Sequence, residues 1–64
     1  MMYDYLFELT EYSENEGEFI LAETTSIGEA YRLLIQTYGF REEELNFIRR
    51  MSVEEGEMCG FDTY

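Results

Sequence analysis

Large apolar residues stand at positions 3, 5, 7 and 9 of Tyr3-Asp4-Tyr5-Leu6-Phe7-Glu8-Leu9-Thr10, with mostly polar residues between them. A period of two predicts a strand. Ser13-Glu14-Asn15-Glu16-Gly17 follows as a polar cluster holding Asn and Gly, which tolerate positive φ, and it predicts a turn. Glu18-Phe19-Ile20-Leu21-Ala22-Glu23 is then a compact apolar run. The first third of the chain reads as a β-hairpin.

The period changes at Thr24-Thr25-Ser26-Ile27-Gly28-Glu29. Ser26 has the position of a helix cap, and Glu29, three residues on, can return a bond to the cap's own amide. Ile27, Ala30, Tyr31, Leu34, Ile35 and Tyr38 recur at steps of three and four, which makes one apolar helix face, and Gly39 ends it. Gly28 in the first turn costs up to about 1 kcal/mol relative to Ala. That cost points to a close approach of the helix to a neighbouring strand.

Arg41 to Val53 carries two patterns. As a helix it has Glu42, Glu43 and Glu44 in the first turn and Arg49 and Arg50 in the last, both favourable to the macrodipole. As a strand, Leu45, Phe47, Met51 and Val53 alternate, broken only by Arg49. The strand is preferred, because no Glu here has an Arg four residues later and a lone hairpin with one helix gains most from a third strand. Glu54-Glu55-Gly56-Glu57 reads as a second acidic turn, and Met58 to Tyr64 as a short fourth strand paired back on the third or an aromatic tail on the sheet. The expectation is one α+β domain over residues 1–64, ββαβ or ββαββ, with a helix on one sheet face.

Parity along the strands adds a surface. Leu6, Ile20 and Ile48 fall opposite in parity to Tyr5, Phe7, Leu21 and Phe47, and one helix covers only one face. The second strip needs a cover: the C-terminal segment, a second copy of the chain or another partner. Tyr12, Tyr38 and Tyr64, beside turns or the terminus, are candidate interface aromatics, and Tyr12 and Tyr64 join Leu6, Ile20 and Ile48 as a dimer or docking face.

Composition narrows the chemistry. The 64 residues hold fifteen acids, four arginines, no lysine and no histidine, for a formal charge of −11. Four arginines against fifteen carboxylates argue against direct contact with nucleic acid or an anionic membrane. Without histidine there is no triad, and without lysine no Schiff base. Cys59 is alone, so no internal disulfide forms and no four-ligand zinc site can be assembled; no basic neighbour activates the thiol, which reads as a small buried hydrophobe. An unpaired thiol and a first segment without a basic and apolar leader fit a cytoplasmic protein. No cofactor is expected.

The Glu14-to-Glu18 loop is rich in oxygen ligands but lacks the Asp-x-Asp-x-Asp-Gly spacing of a calcium loop, and it reads as a solvated turn. Paired carboxylates do acid and base work only in a cleft that separates their environments, which a single sheet under one helix does not supply, so an enzyme is not expected. The imbalance of charge is unusual, since self-repulsion opposes compaction. It points to a non-enzymatic protein whose carboxylates engage a partner protein with a basic surface, one built for DNA or RNA. Phage anti-restriction and anti-CRISPR proteins are similar in size and charge, and the likeness extends to nothing else. The candidate contact residues are Glu14, Glu16 and Glu18, then Glu54, Glu55 and Glu57, then Glu42, Glu43 and Glu44. The alternative is an assembly module that homodimerises or docks through the apolar face.

Overall fold

A computed structural model describes residues 1–64. β1 (Tyr3–Leu9) and β2 (Phe19–Thr24) form the expected antiparallel hairpin, in register from Tyr3↔Thr24 to Glu8↔Phe19. α1 (Ile27–Arg32) widens into a π turn over Leu33–Thr37, and Gly39 follows at φ 79°. A 3-10 turn at Glu42–Glu44 then leads into β3 (Leu45–Met51), antiparallel to β1 on its free side. The chain ends with α2 (Val53–Cys59) and a two-residue β4 (Asp62–Thr63). The sheet order is β3-β1-β2-β4. The α+β class holds in its ββαββ form, enlarged by a second helix.

The C-terminal segment and the first helix cap differ from the sequence reading. Glu54 to Glu57 is the body of α2 and not a turn: the Ser52 hydroxyl accepts from the Glu55 amide at 3.2 Å, and Glu54 and Glu55 favour the first turn of the helix. β4 pairs parallel with β2, at Ile20↔Asp62 and Leu21↔Thr63, on the edge of the sheet away from β3. At the first helix the cap is half of the expected box. Ser26 accepts from the Glu29 amide at 3.2 Å, while the Glu29 carboxylate turns to Arg32 at 3.3 Å.

Alternation sorts the strands onto two faces. Tyr5, Phe7 and Leu9 of β1, Ile20 and Ala22 of β2 and Leu45 of β3 pack with Ala30 and Leu34 of the first helix. Leu6, Leu21 and Met51 form a smaller cluster on the other face, the one from which α2 reaches Asp4 of β1. The expected parity of β2 is thereby reversed: Phe7 pairs with Ile20 and Leu6 with Leu21, so Ile20 lies under α1 and Leu21 on the second face. The break in the β3 pattern has a cause too. A bulge shifts the register so that Phe7 meets Phe47 and Leu6 meets Arg49, with Ile48 between, and this carries Met51 to the second face.

The closest backbone approach is at Gly56 and not at Gly28. A Cβ on Gly56 falls 1.7 Å from Oδ2 of Asp4, whereas one on Gly28 meets nothing nearer than Ser26 Oγ at 4.0 Å. Asp4 is 2% exposed and its Oδ1 has no hydrogen-bond partner. Burial, with Glu23 across the ladder and Glu57 on α2, holds its carboxyl above the usual range.

Candidate functional site

The loop that closes the β1–β2 hairpin carries Glu11, Glu14, Glu16 and Glu18, and its backbone is held from within. The Leu9 amide donates to the Glu18 carbonyl at 2.8 Å, Gly17 to Leu9 at 2.8 Å and Glu18 to Asn15 at 3.1 Å. Asn15 donates to the Ser13 hydroxyl at 3.1 Å, a side-chain turn that fixes the loop tip.

A second segment docks on this loop. The Thr10 amide donates to the Glu44 carbonyl at 2.9 Å, and its hydroxyl donates to the carbonyl of Glu43. Arg41 Nη2 donates to the Tyr12 carbonyl at 2.7 Å. Two of the three predicted acid groups, Glu14 to Glu18 and Glu42 to Glu44, therefore meet at one end of the sheet on one braced frame.

Within that frame the acids are not equivalent. The Arg41 amide donates to Glu44 Oε2 at 2.7 Å, which holds the Glu44 carboxyl below the usual range, and the side chain is mostly covered. Glu44 is thus a structural cap for its turn. Glu43 pairs with Arg41 at 3.0 Å. Glu11, Glu14, Glu16, Glu18 and Glu42 are exposed and face no cation. Glu11 was not among the expected contact residues. Its signal was its place two residues beyond the strand, inside the same polar run.

The third group starts from the other end of the sheet. α2 begins after Met51, which pairs with Asp4, while the loop begins after Leu9. Five strand residues separate the two starting points, about 17 Å at the rise of a strand. The far end of α2 returns toward the loop: Gly60 lines the same cleft as Asn15, Gly17 and Glu18. On α2, Glu55 pairs with Arg49 at 3.6 Å, and Glu54 and Glu57 are exposed.

Across the molecule Arg32, Arg41 and Arg49 engage Glu29, Glu43, Glu44 and Glu55. Arg50 lies over the Tyr3 ring at 4.1 Å. Of fifteen acids, four are paired and eleven are not. No group of three or more Asp, Glu or Cys side chains converges to hold a metal ion. No helix is long and apolar enough to cross a membrane.

The expected docking face is largely internal. Leu6 and Ile20 are buried within the chain, because the C-terminal segment covers the second face and α1 covers Ile20. Ile48 at the bulge is 42% exposed and Tyr12 is 58% exposed, while Tyr64 is half-buried against Tyr38 and Phe40. Cys59, expected inside, is exposed at the end of α2. The chain matches no family model, no curated protein and no solved structure.

Proposed function

We propose that this is a non-enzymatic acidic binding protein that occupies a basic surface on a protein built to handle DNA or RNA, with the hairpin end as its contact site. One observation carries the reading: Glu11, Glu14, Glu16, Glu18 and Glu42 stand exposed and without cations on two segments locked to each other through Thr10 and Arg41. Carboxylates on a fixed frame take the places of phosphates at little ordering cost, and their summed field speeds encounter with a basic partner. A solvating acid surface has no need of such bracing.

The test is capture by the immobilised chain from a cell extract. The expected partner is a nucleic-acid-handling protein that duplex DNA displaces, that is released between low and high salt, and that is lost when Glu11, Glu14, Glu16 and Glu42 become Gln. A partner held equally with and without DNA, salt and those substitutions overturns the reading.

Self-association is the second reading, with one observation in its favour. β3 is an open sheet edge on which Phe47 and Ile48 are each more than a third exposed. Leu6 and Ile20 take no part in it. Sedimentation at micromolar concentration decides: a clean monomer removes this reading and leaves the first intact.

A further inference from the structure

A cleft of about 300 Å³ opens beside the hairpin end, between the start of β2 and the C-terminal strand. Its composition follows from register. The Glu18 carbonyl accepts from the Leu9 amide, so the β1–β2 ladder extends one pair beyond Glu8↔Phe19 and sets Glu18 opposite Leu9. On one side of the strands, Glu18 therefore shares a face with Ile20 two residues later. Ile20 pairs in parallel with Asp62, and Tyr64, two residues beyond Asp62, returns to that same face. Leu9 and Ile20 close its bottom from within the core, Phe40 and Tyr64 stand edge to face at 5.5 Å as a wall, and the carboxylates of Glu18 and Asp62 line it.

The two carboxylates share one face: Glu18 lies two residues before Ile20, which pairs with Asp62, and both acids line the cleft. Burial and then the charges of Asp62 and Glu18 hold the Tyr64 phenol above its ordinary value. Neither acid has an arginine partner. Two unpartnered negative charges beside an aromatic wall suit a ligand that is cationic at one end and apolar along its length.

We infer that this cleft receives an arginine side chain of the basic partner, its methylenes along the Phe40 and Tyr64 wall, its guanidinium at Glu18 and Asp62 against the Tyr64 ring. Arginine fits better than a compact ammonium because a planar guanidinium bonds carboxylates and stacks on an aromatic face together. The assignment rests on the proposed function only for the source of that arginine. The cleft's affinity for the side chain is a separate property.

The experiment is an amide-resolved NMR titration of the full chain with N-acetyl-arginine amide, and with the citrulline analogue as its neutral isostere. Expected are saturable shifts at Leu9, Glu18 to Ile20 and Phe61 to Tyr64 with arginine alone. The Glu18→Gln, Asp62→Asn double variant, whose dispersed spectrum reports its folding, binds about fivefold more weakly, the factor that exposed ion pairs supply. Equal shifts from citrulline, or non-saturating shifts spread over Glu14, Glu16 and Glu42, overturn the inference. If arginine amide binds but no basic partner is captured, the cleft stands and the proposed function falls. Capture through the hairpin acids without arginine binding has the reverse meaning.

Discussion

Replacing Gly56 by Ala tests how α2 is seated. At an open helix position the change stabilises by up to about 1 kcal/mol, because Ala has the better helix propensity. Here the new methyl falls 1.7 Å from Asp4 Oδ2, 2.7 Å from Cγ and 3.1 Å from Cβ. Ordinary contact begins near 3.4 Å, so about 1.7 Å must be found. Turning the Asp4 side chain moves its oxygens and leaves its Cβ in place, and Asp4 has almost no free space around it. The helix must lift. Overpacking of this kind costs about 1–3 kcal/mol, and full undocking uncovers Leu6, Leu21 and Met51 at about 1.5–3 kcal/mol each.

A net loss of about 2 kcal/mol or more is expected after the propensity gain, a large part of the total stability of so short a chain. Urea unfolding followed by circular dichroism measures it, with Gly28→Ala as the internal control. Gly28 has nothing closer than 4.0 Å, so that variant is expected to be neutral or stabilised by up to about 1 kcal/mol. Adding Asp4→Ala to Gly56→Ala should recover part of the loss. Equal and favourable effects at both glycines would refute the seating of α2 on Asp4.

Asp4→Asn is expected to raise stability at pH 7. The folded carboxyl of Asp4 lies above its ordinary value of 3.8, so the folded state holds that proton more tightly. Asp4's contribution therefore favours folding below 3.8, declines as pH rises from there through the folded value, and is gone above it. The variant's pH profile, read as the difference from wild type, should lose that slope. Glu44 has the opposite sign: lowered from 4.5 by the Arg41 amide, it supports folding above that value, and the support disappears as pH falls through the folded one, which Glu44→Gln should show. Ser52→Ala should cost about 1 kcal/mol in the same urea assay by removing the cap of α2. With eleven unpaired acids, added sodium chloride should raise the melting temperature by about 4–8 °C, the equivalent of about 1 kcal/mol of relieved repulsion.

The hairpin and the first helix were legible because each announces itself by its period, two in Tyr3 to Leu9 and three and four in Ile27 to Tyr38. β3 had two patterns, and the strand was preferred because no Glu there has an Arg four residues later and a lone hairpin gains from a third strand. The alternation to Val53 fails at the bulge and the start of α2. The parity of β2 was not legible. Phe19-Ile20-Leu21-Ala22 is apolar at every position, so only pairing with β1 decides which residues face α1. The second helix was hidden by its composition, since Glu54-Glu55-Gly56-Glu57 has no apolar stripe and its glycine reads as a turn. Its one signal was Ser52 three residues before Glu55, the same spacing as Ser26 and Glu29. At the acidic site the residue types were visible and their grouping was not. The union of the 3-10 turn with the hairpin depends on Thr10 and Arg41, bonds over 33 and 29 residues of chain that no local pattern encodes.

The placement of β4 on β2 bears on how the chain comes to be folded. The hairpin closes over the nine residues between Leu9 and Phe19, whereas Ile20 must find Asp62 across the whole of α1, β3 and α2. Loop-closure entropy places such a long-range pairing after the local one, so the face carrying Leu6, Leu21 and Met51 is the last to be covered as the chain folds.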